Sequence, residues 1–178
     1  LEDRPRALAV AVLVLVGAVV LVASALFGSR AAWIHVGATL GTWMAANVLF
    51  VIIPGHRELV AAKEAGREPA AIWGVRGKQR SVHNNYLTLP VLFAMIGQHF
   101  PFSYGHAYAP FVLLGLMAAG ATAQHFLNLR HQGRTEWRVL AGAGAMALAV
   151  AVAVAPPIAG AAAAPLSPED RAGVMKVV

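Results

Sequence analysis

Apolar residues run almost unbroken through five stretches of the chain, roughly Ala7–Phe27, Ala31–Ile53, Ser81–Phe100, Ala107–Leu129 and Trp137–Ala159. Each approaches the about 20 residues of helix that cross a hydrocarbon core. The third stretch is the least apolar. It opens with Ser81, His83, Asn84 and Asn85 and contains Pro90. Because an unsatisfied polar group in hydrocarbon costs several kcal/mol, its neighbours must wall it off from lipid. The pattern predicts an all-α fold, a polytopic transmembrane helix bundle of about five spanning helices. The Ala/Pro-rich stretch that follows, and residues 161–178 in particular, reads as a linker, with Ser167 or Asp170 placed to cap a short further helix.

Composition supports a membrane environment. Hydrophobic residues make up 58% of the chain and charged residues 12%, about half the charged share of an ordinary globular domain. With no cysteine, neither disulfides nor thiolate metal sites are available. The net charge of +6 would point to nucleic acid in a soluble protein, but its distribution follows membrane topology instead. Arg4 and Arg6 precede the first span. Arg57, Lys63, Arg67, Arg76, Lys78 and Arg80 lie between the second and third, and Arg130, Arg134 and Arg138 between the fourth and fifth. The opposite side has only Arg30, Arg171 and Lys176. The positive-inside rule therefore predicts a multi-pass bacterial inner-membrane protein with a cytoplasmic amino end and a periplasmic carboxyl end, and no nucleic-acid partner.

The candidate chemistry begins with the histidines. In the second span, His35, Thr39, Thr42 and Ala46 share one helical face, whereas Gly37, Gly41, Met44 and Val48 share the opposite one. The small face, with Gly37-x-x-x-Gly41, is suited to close helix packing, which would leave His35 to face a cofactor or cavity. Topology places His35, His99 and His106 at one end of the bundle and His83 and His125 near the other. Imidazole is the common axial ligand of haem iron, so His35 with His99 is the expected outer pair and His83 with His125 the inner one. A two-haem arrangement is the weaker version, since His83 and His99 lie about 160° apart around a straight helix. His56 and His131 fall in basic loops and read as solvated.

The segment from Lys78 to Pro90 is the richest in polar chemistry. Arg80, Asn84 and Thr88 recur every four residues, with Ser81 and Asn85 beside them, so one face offers a cation, amides and hydroxyls. Such a face suits a planar, anionic, hydrogen-bonding ligand. It equally suits polar bonding between helices, with Arg80 anchored at the interface.

Gly41-Thr42-Trp43-Met44, Asn47-Val48-Leu49-Phe50, Ile52-Ile53-Pro54 and above all Arg80-Ser81-Val82-His83-Asn84-Asn85-Tyr86-Leu87-Thr88-Leu89-Pro90-Val91-Leu92-Phe93 closely resemble the membrane-bound urate oxidase (urate hydroxylase) family. The resemblance continues through Met95 and His99-Phe100-Pro101 and covers roughly Ile34–Arg134. It implies the membrane domain of a cytochrome c-linked enzyme that converts urate to 5-hydroxyisourate without releasing peroxide. It also implies that this chain is a fragment lacking the family's first helices and its carboxyl-terminal cytochrome c domain, the carrier of haem c. Under it, urate is bound by Arg80, Asn84, Asn85, Tyr86 and Thr88, and His83 accepts a proton. His35, His99 and His125 are candidates to hold a haem b that passes electrons to the cytochrome domain or another respiratory-chain acceptor. Two other readings remain open: a b-type haem electron-transfer subunit with no substrate of its own, and a transporter of purine-like solutes.

Overall fold

The computed structural model describes residues 5–155, and among them every regular element is helical. Helix α1 spans Pro5–Leu26 and α2 spans Ser29–Asn47. A π-helical turn, Val48–Ile52, joins α2 without a break to α3, Ile53–Glu64. Then follow α4 (Ala71–Gly97), the short α5 (Pro101–Tyr104), α6 (Ala109–His131) and α7 (Trp137–Val154). Among the described residues, four helical stretches are long and apolar enough to cross a membrane: Ala7–Leu26, Ser29–Glu64, Ala109–His131 and Trp137–Val154. Helix α4 occupies the place of the expected third span. Its 27 residues make about 40 Å of helix, but it carries Arg76, Lys78 and Arg80 in its first half. The linker expected at residues 161–178, and the domain expected to follow it, lie outside the described residues.

The helices follow the hydropathy pattern, but their ends are set by local chemistry. The helix of the second span continues to Glu64 because nothing before Gly66 stops it. Pro54 has no N–H to offer the carbonyl of Phe50, and the chain adapts with the π turn just before it, where the Ile53 N–H reaches back to the Val48 carbonyl. Gly66, at φ 67°, then ends α3 in a Schellman motif: Gly66 donates to Lys63 O at 3.1 Å and Arg67 to Ala62 O at 3.0 Å. Gly133, at φ 78°, ends α6 in the same way, with Gly133 donating to Arg130 O and Arg134 to Leu129 O, both at 3.0 Å. Helix α4 starts at Ala71, ten residues before the expected span. Its first turns lie along α3, where Trp73 packs against Gly55.

Helices α1, α2, α4 and α6 close a ring in that order, and α7 lies outside it against α6. The core inside the ring is built from Val16 and Val20 of α1, Trp33, Val36 and Leu40 of α2, Leu87 and Ala94 of α4, and Val112, Leu113 and Met117 of α6. Small residues let the backbones approach. A Cβ on Gly37 would fall 2.8 Å from Cγ of Met95, one on Gly97 would collide with the Trp33 ring, one on Gly120 would lie 3.0 Å from the Phe93 ring, and one on Gly115 would lie 2.7 Å from Val150 Cγ2. The α2–α4, α4–α6 and α6–α7 interfaces therefore each contain a glycine beside which a side chain would have no room. Of the expected Gly37-x-x-x-Gly41 surface only Gly37 is used, since a Cβ on Gly41 would meet open space. The reason is rotational: α2 turns Trp33, Val36 and Leu40 inward and leaves His35, Thr39 and Thr42 exposed.

Replacing Gly97 by Ala should destabilise the bundle by about 1–3 kcal/mol, because the added methyl has no room beside a ring that is already packed. Gly142→Ala, which meets nothing within 4 Å, should be neutral or slightly stabilising. Thermal unfolding in detergent checks the pair, and equal midpoints for the two variants would contradict this account of the α2–α4 contact.

Candidate functional site

The polar residues of α4 meet those of α2 and α6 in one layer towards the end of the bundle that carries the basic loops. Asn84 and Asn85 are consecutive, so their side chains diverge by about 100°, and each reaches a different neighbour. The Asn84 carbonyl accepts a bond from Asn47 Nδ2 at 2.9 Å, and its amide donates to Met44 O at 2.8 Å. That Met44 carbonyl lies where α2 passes into the π turn, and it also receives part of a forked bond from the Val48 N–H. On the other side, Asn85 donates to Asn128 Oδ1 at 2.7 Å and accepts from Gln124 Nε2. Asn47 and Gln124 are buried, where an amide without partners would cost on the order of 1–3 kcal/mol. The two asparagines thus bridge three helices.

The other members of the α4 segment divide in their surroundings. Arg80 and His83 lie one helical turn apart on one side of α4, both half-buried. Neither has a hydrogen-bond or ion-pair partner among the described residues. Thr88 donates to the Asn84 carbonyl of its own helix at 3.0 Å. Tyr86 reaches α6, where its hydroxyl lies 2.6 Å from His125 Nδ1. The layer as a whole can offer an incoming planar anion a guanidinium, an imidazole and two hydroxyl groups on a scaffold whose amides are already committed to holding it.

The candidate haem ligands lie apart from this layer, except for His125. His35 is exposed on α2, donates through Nδ1–H to Ala31 O at 2.8 Å, and stacks on Phe27 with ring centroids 4.0 Å apart. That arrangement leaves Nε2 open, as the backbone bond of an axial imidazole does. His99 follows α4 and is exposed, with Nε2 lying 3.0 Å from Gln98 Nε2. His125 is exposed, and its bond to Tyr86 leaves Nε2 open. The Gly37–Met95 and Gly97–Trp33 contacts close the space between α2 and α4 at the level of His35, so a macrocycle does not fit between these two helices. Any haem held by His35 would lie on the outward face. Among the described residues no group of three or more His, Asp or Glu side chains is placed to hold a metal ion.

Sequence reasoning singled out Asn84 and Asn85 but gave no role to their partners Asn47, Gln124 and Asn128. A signal for them existed: Gln124 and Asn128 stand four residues apart inside an apolar run, a spacing that places both on one helix face. At the opposite end of the bundle the chain also forms an open cleft of about 770 Å³ between the α1–α2 turn and the α5–α6 turn. No sequence pattern marked it, because its two walls lie at least seventy residues apart.

An α-helical bundle with several spans apolar enough for a membrane, cross-bridged by buried amides at one level, is the class that this fold and site define. The chain belongs to the family described as urate oxidase N-terminal, whose sequence model matches residues 1–155. No curated protein and no solved structure matches the chain.

The bridging assignment makes Asn47 and Asn84 energetically coupled. In a double-mutant cycle of Asn47→Ala and Asn84→Ala, the interaction should come to about 0.6 kcal/mol, the average for hydrogen bonds between membrane helices, and to no more than about 1.7 kcal/mol. Denaturant unfolding in mixed micelles measures it. Strictly additive losses would mean that the two amides do not meet.

Proposed function

We propose that the full-length protein oxidises urate to 5-hydroxyisourate and delivers the electrons to a cytochrome c-type acceptor. Membership of the urate oxidase N-terminal family across residues 1–155 carries this reading, and the chemistry of the α4 layer supports it. The balance is simple. Urate and water give 5-hydroxyisourate, two protons and two electrons, and a cytochrome c-type acceptor, when present, would accept those electrons as two one-electron equivalents. No oxygen is consumed and no peroxide forms. The carboxyl end lies on the periplasmic side of a bacterial inner membrane, where a cytochrome c domain can receive the electrons.

Within the layer, Arg80 and His83 face the substrate. Urate is a monoanion at neutral pH, so the guanidinium of Arg80 fixes its charge, and a planar fork suits a heterocycle edge better than an ammonium does. His83, neutral beside that cation, accepts a proton as the ring is oxidised. The hydroxyl oxygens of Tyr86 and Thr88, whose bonds to His125 and to the Asn84 carbonyl leave them able to accept, read the N–H groups of the ring, while Asn84 and Asn85 contribute mainly by holding α4 in place between α2 and α6. A haem b on this chain would use the open Nε2 atoms of His35 or His125, or His99, and when bound it would supply one-electron steps.

The test follows urate consumption and cytochrome reduction in parallel on the full-length protein. One urate lost for every two cytochromes reduced, with no peroxide, is the expected outcome. Urate bound or moved across the membrane without chemical change would favour a transporter, and cytochrome reduction independent of urate would favour an electron carrier. Replacing Arg80 by Ala should raise KM for urate by about tenfold or more, the loss of one charge-assisted contact. An unchanged KM would remove Arg80 from the site.

A further inference from the structure

The two ends of the bundle differ in charge. Among the described residues, every Asp, Glu and Lys, and every Arg except Arg30, lies at the end where α1, α4 and α7 begin and α3 and α6 finish, or in the loops there. Among the described residues Arg30 is the one Arg, Lys, Asp or Glu at the other end, in the first turn of α2. Its charge is opposite to what the orientation rule favours there. It has neither an ion-pair nor a hydrogen-bond partner among the described residues.

Arg30 lines the 770 Å³ cleft. Across the opening stand Tyr104 and His106, whose polar atoms likewise have no hydrogen-bond partner among the described residues. Ala31, Ile34 and Ala107 give the cleft an apolar floor. The far wall is held rigidly. Ser103 is buried and donates to both Gly97 O (2.8 Å) and Phe100 O (2.7 Å). Gly105 closes the α5 turn with its N–H on Pro101 O at 2.8 Å, so tightly that a Cβ there would lie 2.7 Å from the same oxygen. The His106 ring stacks on Tyr108 with centroids 5.0 Å apart, which fixes its plane. An open surface cleft with an exposed, unpaired cation, two ring-borne polar groups and an apolar floor matches a small ligand that is flat and singly negative.

We propose that this cleft is a second anion site, which captures a planar monoanionic heterocycle of the urate class at the low-charge end of the bundle. It is separated from the Arg80 layer by the close α2–α4 packing at Gly37 and Gly97. Arg30 supplies the charge, and Tyr104 and His106 supply hydrogen bonds and ring faces. The identity of the ligand rests on the urate reading above, whereas the existence of an anion site does not.

Equilibrium dialysis of labelled urate against the full-length protein in detergent, with the cytochrome pre-reduced to prevent turnover, tests the site. Arg30→Gln should lose one bound urate equivalent per chain or weaken it about tenfold, and Arg30→Lys should retain most of it. In turnover, Arg30→Gln should raise KM while kcat stays within twofold, as expected for a capture step. An isotherm and KM unchanged by Arg30→Gln would overturn the proposal. If that variant does not fold, Tyr104→Phe keeps the ring and removes one hydroxyl, so a several-fold weaker equivalent is expected and an unchanged one overturns the proposal. A repeat in nanodiscs containing phosphatidylglycerol separates the lipid source: displacement of the Arg30-dependent urate by this lipid would mark a headgroup site and overturn the assignment. Arg30-dependent urate binding without any urate oxidation would sink the enzymatic reading and leave the site standing. Oxidation with an isotherm indifferent to Arg30 would do the reverse.

Discussion

Two consecutive asparagines on α4 constrain the rest of the bundle. A primary amide in hydrocarbon must find partners or cost several kcal/mol, and Asn84 and Asn85 point about 100° apart. One helix neighbour cannot satisfy both. The bonds of Asn84 to Asn47 and Met44, and of Asn85 to Asn128 and Gln124, therefore fix three things together: the rotation of α4, its depth, and its position between α2 and α6. Helix α4 is the element least able to face lipid, and these bonds keep its polar turn inside the bundle.

Close packing completes what the amides begin. Lipid tails are as apolar as leucine, so apolar contact alone gives membrane helices little reason to prefer each other over lipid. Backbone approach at glycine supplies dispersion contacts instead. Gly37 and Gly97 receive Met95 and Trp33 between α2 and α4, Gly120 receives Phe93 between α4 and α6, and Gly115 receives Val150 between α6 and α7. The π turn belongs to the same design. It takes up the missing N–H of Pro54 just beyond Asn47, so that a single unbroken helix runs from the amide layer towards the basic loops.

These constraints give the protein two chemically different ends. At the basic end, two Schellman turns at Gly66 and Gly133 finish the helices crisply, and the layer with Arg80 and His83 lies close by. At the other end Arg30 is the one Arg, Lys, Asp or Glu among the described residues, and the α5 turn, pinned by Ser103, shapes a cleft. The amide layer is common ground between the enzymatic reading and a purely structural one, since the same asparagines that brace α4 also hold Arg80 and His83 at fixed positions. Histidines with an open Nε2, His35 and His125, lie on outward faces rather than in the core.

The sequence by itself determined the helical class, four of the apolar spans, the gathering of basic residues towards one end, and the polar stretch of α4 that has to be walled off by its neighbours. It could do so because hydropathy, the placement of basic residues and glycine stops act through near neighbours in the chain. It did not determine which way α2 is turned: the His35 face, expected to line a cavity, is exposed, and Gly41 packs against nothing. Rotation is decided by the sum of distant contacts, here Trp33 against Gly97 and Asn47 against Asn84. The partners Gln124 and Asn128, and the cleft that joins Arg30 to Tyr104 and His106, likewise exist only once the helices have been brought side by side. Only tertiary structure decides which residues far apart in sequence share a site, because the energy that selects their pairing lies in contacts between helices and not in any one of them.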